Sequence, residues 1–114
     1  MIIEETVRNY LNEQLDCPVW LEIPKGEEQA ARYVLVSKSG SRRDNHISSA
    51  IITIQSYGGS LLEAMDLNEA VKAAMDELIT LDSVSRAALN SDYDFTDTQT
   101  KQHRYQAVYD ITHN

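Results

Sequence analysis

Ile3, Val7, Leu11 and Leu15 recur every fourth residue, with Tyr10 beside them. That spacing predicts one apolar face of an N-terminal helix. Asp16-Cys17-Pro18 should end it, because proline disfavours helical geometry in the residue before it. Val19-Trp20-Leu21-Glu22-Ile23 then reads as a short strand stopped by Pro24, and residues 24–32 as a polar loop. Tyr33-Val34-Leu35-Val36 is β-branched and apolar on both sides, which suits a central strand. Residues 37–46 (SKSGSRRDNH) form a polar turn region, and 47–57 the next strand. Ala50, Ile52 and Ile54 share one face of that strand, and Ile51, Thr53 and Gln55 the other. The two strands together predict a long antiparallel hairpin with an overhanging basic tip.

Gly58-Gly59 breaks the pattern. Ser60 is a good helix N-cap, and Glu63 three residues later completes a capping box. Leu67, Val71, Ala74, Leu78 and Leu81 then alternate by four and three, with Ala64, Ala70, Met75 and Ile79 widening the stripe. A helix over 61–81 would span about 30 Å, with Glu63, Asp66, Glu69, Lys72, Asp76 and Glu77 turned to water. Residues 84–89 suit a short strand, and 91–100 (SDYDFTDTQT) an acidic loop. Tyr105, Ala107, Tyr109 and Ile111 alternate with Arg104, Gln106, Val108 and Asp110, which predicts a half-buried antiparallel strand. The expected fold is α+β, a single domain over 1–114. It has an antiparallel sheet of about four strands, with two helices packed on one face.

Composition narrows the function classes. Ten Lys and Arg against 18 Asp and Glu leave a formal net charge of −8. That balance argues against a basic footprint for nucleic-acid phosphates and against docking on an anionic membrane. Cys17 is the only cysteine, so no intrachain disulfide forms and no multi-cysteine zinc site exists. No apolar run has the length of a membrane span. The start, Met1-Ile2-Ile3-Glu4-Glu5, lacks the basic and apolar stretches of a signal peptide. A soluble protein made in a reducing compartment is expected.

Each candidate for chemistry meets a plainer explanation. Gly58-Gly59-Ser60 before a helix resembles a phosphate cradle, but Glu63 and Asp66 would repel an anion and no P-loop lysine follows. A strand-to-helix turn with a cap is the better reading. Asp92, Asp94 and Asp97 hint at calcium. The sixth and twelfth positions from Asp92 hold Asp97 and His103, where an EF-hand needs Gly and Glu, so a solvated loop is expected. His46, His103 and His113 are scattered without ligand spacing and are expected at the surface. Cys17 fits a small buried hydrophobe better than a nucleophile. No catalytic site, cofactor or metal is assigned. Lys38, Arg42 and Arg43, followed by Asp44, concentrate three of the ten basic residues in one turn. They are the candidate protein-interaction site, facing an acidic surface on a neighbour. Such pairing sets partner choice and orientation more than affinity. The chain offers that surface itself, on its long helix and at 92–97, and a head-to-tail contact of this kind closes into a ring.

The progression from Ser39-Gly40-Ser41-Arg42-Arg43-Asp44 through Ile51-Ile52-Thr53-Ile54-Gln55-Ser56-Tyr57 to Arg104-Tyr105-Gln106-Ala107-Val108-Tyr109 resembles the tail terminator proteins of long-tailed bacteriophages, also called tail completion or minor tail proteins. The N-terminal helix, the strand with Trp20 and the Ala-rich acidic helix at 61–81 extend the resemblance over most of the chain. It implies a non-enzymatic structural virion protein of the tail and neck, assembled in the bacterial host cytoplasm. Its partners would be copies of itself in a hexameric ring, the tail tube protein and the head-tail connector proteins. The ring would end tube polymerisation and form the head-joining surface, with the loop at 38–46 reaching a neighbour or the tube. DNA would pass through the lumen without sequence-specific binding, repelled by acidic walls over roughly 8 Å. The competing expectations are a small ligand-binding or hydrolytic domain with a polar pocket, and an adaptor that adds a strand to a partner's sheet.

Overall fold

Helix α1 (Ile3–Gln14) buries Ile3, Val7, Tyr10 and Leu11, the stripe its spacing predicts. It ends where Leu15 becomes extended and donates its N–H to the Leu11 carbonyl. The computed structural model describes residues 1–28 and 30–114. The polar loop expected over 24–32 includes Gln29, which lies outside the described residues. Strand β1 is only Val19–Trp20, shorter than the five residues expected, and Leu21 after it is exposed. There follow β2 (Tyr33–Asp44), β3 (Ile47–Gly58), α2 (Leu61–Met75), a 3-10 turn (Leu78–Thr80), β4 (Val84–Asp94) and β5 (His103–His113).

The sheet order is β1-β2-β3-β5-β4. The α+β class holds, with five strands. The sheet is mixed, because β1 runs parallel to β2, with Val19 opposite Val34 and Trp20 opposite Leu35. The other three pairings are antiparallel. Directly opposed residues share a face, so one face carries Val34, Val36, Ala50, Ile52, Ile54, Ala107, Tyr109 and Ile111. These join Val7 and Leu11 of α1 and Leu67, Val71 and Met75 of α2 in one buried cluster. Cys17 belongs to the same cluster as a free, buried thiol, and its burial pushes its pKa up.

Three expected boundaries move. The region 37–46 is strand rather than turn as far as Asp44, and the turn itself is Asn45 and His46 alone, with φ of 50° and 67°. Two consecutive positive φ values make the primed two-residue turn that matches the strands' twist. The helix expected over 61–81 stops at Met75. Glu77 donates to Ala74, Thr80 to Glu77 and Leu81 to Leu78, so the chain tightens into 3-10 geometry and still buries Leu78. Ala70 and Ile79, assigned to the apolar stripe, are exposed. Finally, β4 runs through residues 91–94, which were expected to be loop.

The capping box forms with a shift. The Glu63 N–H donates to Ser60 Oγ at 3.2 Å. The Glu63 carboxylate accepts from the Gly59 N–H at 2.8 Å, one residue before the cap.

Candidate functional site

The hairpin of β2 and β3 is built by register. Lys38 lies opposite Ile52, on the helix-bearing face. The register shifts between Lys38 and Gly40, leaving Ser39 as the extra residue of a bulge. Its Oγ lies 3.0 Å from Thr53 Oγ1. Beyond the bulge Arg42 faces Ser49 and Asp44 faces Ile47, on the open face, while Arg43 faces Ser48 on the helix face. The four predicted interaction residues are therefore not one cluster at a loop tip. They line one side of a strand and point alternately to its two faces.

Lys38 is partly engaged, its Nζ 3.8 Å from Glu4 Oε1 in the first turn of α1. Among the described residues neither Arg42 nor Arg43 has an ion pair. Both are exposed. Lys38 and Arg43, with Ile2, Glu4 and His113, line an open cleft of about 590 Å³ between the hairpin and the start of α1. His113, expected at the surface, is buried there, because it closes β5 opposite Ser48 and Val84.

The acidic residues gather at the other end of the sheet. Asp94 accepts from Thr96 N at 2.9 Å and Thr96 Oγ1 at 2.6 Å. Asp97 accepts from Gln99 N at 2.9 Å and Thr100 N at 3.3 Å. These bonds hold both carboxyls below the usual carboxylate range and shape the turn between β4 and β5. Asp92 is engaged elsewhere, by α2: Lys72 Nζ lies 2.9 Å from its Oδ2 and Asn68 Nδ2 donates to it at 2.8 Å. The three aspartates therefore do not converge. No group of three or more His, Cys, Asp or Glu suited to a metal ion occurs among the described residues.

The set around Asp92 escaped the sequence reading. Asn68 is almost fully buried, a polar residue on the apolar stripe of α2 between Leu67 and Val71, and that misplacement was the available signal. Lys72 also holds Glu69 at 2.5 Å, and these bonds push its pKa up. The hydroxyl of Tyr109 is buried without a partner, and burial pushes its pKa to about 12.

Hydrogen bonding from Lys72 holds Asp92 below the usual carboxylate range. A carboxyl whose folded pKa lies below its unfolded value stabilises the fold above the unfolded value, about 3.9. That contribution fades as pH falls through the folded value. Replacing Asp92 with Asn should therefore cost about 1–2 kcal/mol at pH 7. The gap from wild type should shrink as pH drops below about 4. Urea unfolding midpoints of both proteins at pH 7 and at pH 3 check this, and a gap unchanged with pH would show that the carboxylate charge is not what matters.

No helix of the described residues is long and apolar enough to cross a membrane. No protein-family model matches the chain, and a search of curated proteins finds no match.

Proposed function

We propose that this chain is a non-catalytic structural subunit of the phage tail-terminator kind, which assembles with copies of itself into a hexameric ring on the end of a tail tube. There it would end tube polymerisation and present the surface that joins the head connector, with DNA passing through the acidic lumen. The observation that carries this reading is the separation of charge along the molecule. Exposed Arg42 and Arg43 lie at one end of a sheet whose other end holds Asp94 and Asp97. The molecule extends 44 Å along its longest axis, so one copy cannot bring its own two ends together, whereas neighbours can. The long β2–β3 hairpin and the order of elements also agree with the resemblance read from the sequence.

The test is the solution mass by light scattering over a wide concentration range, with negative-stain images of the largest species. Six copies of 12.9 kDa give 77.4 kDa, and the images should show a ring with a central hole. A mass of one or two copies at every concentration, unchanged when purified tail tubes are added, would overturn the proposal.

A further inference from the structure

Between α2 and the strands β4 and β5 lies a groove of about 290 Å³, at the small end of the range of ligand pockets. Part of its lining is apolar. Leu62 and Met65 of α2 are exposed by 66% and 40%, and Tyr105 of β5 also lines the groove. The rest is polar and acidic. Asp66, Glu69 and Asp92 set three carboxylates against one ammonium, that of Lys72. Lys72 is already held between Glu69 and Asp92, whereas Asp66 has no ion pair among the described residues.

Carboxylates alone would make only a solvated face. Asn68 makes this place different. It lines the same groove, is only 1% exposed, and its Oδ1 has no hydrogen-bond partner. Its Nδ2 donates to Asp92 Oδ2, the oxygen that Lys72 Nζ also approaches, which leaves Asp92 Oδ1 as a further acceptor. A buried acceptor without a donor is costly, and an orphan of this kind calls for a missing donor.

We infer that the groove between α2 and β4 binds a guanidinium group carried on a short apolar stem. The head must supply several N–H donors to Asn68, Asp92 and Asp66. A guanidinium has five in one plane, is weakly hydrated and stacks on aromatic rings such as that of Tyr105. An ammonium has three around a strongly hydrated point charge, which suits the site less well. A carboxylate or phosphate would meet like charge. A metal ion does not fit either, since no group of three or more His, Cys, Asp or Glu suited to one occurs among the described residues. The stem would cover Leu62 and Met65.

Free small molecules and arginine side chains share this chemistry. Arg42 and Arg43 of a second copy are one chain-borne source, exposed and without ion pairs among the described residues. A copy cannot fill its own groove with them. Arg43 lies level with His113, eight residues along β5 from Tyr105, or about 26 Å.

The test is a titration of the ¹⁵N-labelled protein with butylguanidinium, followed by NMR, with neutral butylurea as the isosteric control. Butylguanidinium should shift the Asn68 side-chain amide and the backbone amides of Met65, Lys72 and Asp92 saturably, with a Kd on the order of millimolar. Butylurea should bind at least about 10-fold more weakly, because it lacks the charge. Asp66→Asn, at an exposed and unpaired position, should leave the thermal melt unchanged and weaken binding about 3-fold. Asn68→Leu should weaken it about 10-fold, and the Asp66 variant decides the matter if that protein does not fold. Protein concentration separates the sources. Groove signals that move with concentration in wild type but not in Arg42→Glu/Arg43→Glu, and that excess butylguanidinium returns, support the site and assign it to a second copy's arginine. Signals indifferent to concentration that still saturate with butylguanidinium support the site and assign it to a free ligand. No saturable shift up to about 50 mM, equal shifts with butylurea, or binding untouched by Asp66→Asn overturns the inference.

Discussion

Gly58→Ala is expected to destabilise the fold by about 3 kcal/mol, with a fall in Tm of about 10 °C. Gly58 closes β3 opposite His103, directly beneath the first turn of α2. A Cβ placed there would lie 2.6 Å from the Ala64 nitrogen and 2.9 Å from the Glu63 carbonyl carbon. Both are backbone atoms of the helix, so relief requires α2 to lift from the sheet. That motion would disturb Ala64 and Leu67, which are buried beneath it. Gly59→Ala is the control. Its Cβ would meet only the flexible carboxylate of Glu63, at 2.8 Å. The side chain can swing aside, giving up the bond to the Gly59 N–H, so the loss should stay near 1 kcal/mol. Thermal and urea unfolding of the two variants decide the matter. Equal losses would mean that helix capping, rather than close approach of the helix to the strand, makes these glycines necessary.

That contrast also shows what the sequence carried and what it did not. Gly58-Gly59-Ser60 with Glu63 announced a strand-to-helix turn, but not which glycine is sterically required. Periodicity placed α1, β3 and β5 to within two residues or so, because each has one face on the core and one away from it. It failed for the distal half of β2 and for residues 91–94 of β4, where burial does not alternate along the chain. Arg42, Arg43 and Asp44 are strand only because β3 holds them in register. Asp92 and Tyr93 are strand because β5 does. An edge strand with solvent on most sides leaves no hydrophobic signature. The opposite error occurred in α2, where Leu78 and Leu81 continued the stripe although the helix had ended at Met75. A 3-10 turn returns Leu78 to the core as a further helical turn would have done. The parallel pairing of β1 had no local signal, since Val19 and Trp20 owe their strand geometry to Val34 and Leu35.

The basic residues were found by their density in an acidic chain, but not their geometry. A loop tip would have presented Lys38, Arg42 and Arg43 together. A strand alternates them, and the bulge at Ser39 resets which face each one takes.

Tyr33→Ala is the second large effect expected, about 3–5 kcal/mol. Tyr33 is fully buried although it points to the face without helices. Its ring stacks on Tyr57 with centroids 4.3 Å apart and planes 13° from parallel, and Trp20 lies 5.2 Å away on its other flank. Its hydroxyl accepts from Gln102 Nε2 at 3.1 Å. The stack continues through Arg104, whose guanidinium lies 5.8 Å from the Tyr57 ring and 4.7 Å from Phe95. One ring thus ties β1, β2 and β3 to the turn that carries Asp97. Removing it takes away a large buried area and the aromatic pairing, which is worth about 0.5–1.5 kcal/mol beyond area alone. Tyr33→Phe keeps the stack and loses one hydrogen bond, so it should cost about 1 kcal/mol. The two variants should also differ in hydrogen exchange. Amides of the β4–β5 turn, such as Asp97 bonded to Gln102, should exchange faster in the Ala protein and nearly normally in the Phe protein. If Tyr33→Ala costs less than Tyr33→Phe is expected to, the aromatic row does not organise this end of the sheet, and the hydrogen bonds of Asp94 and Asp97 alone hold the acidic turn in place.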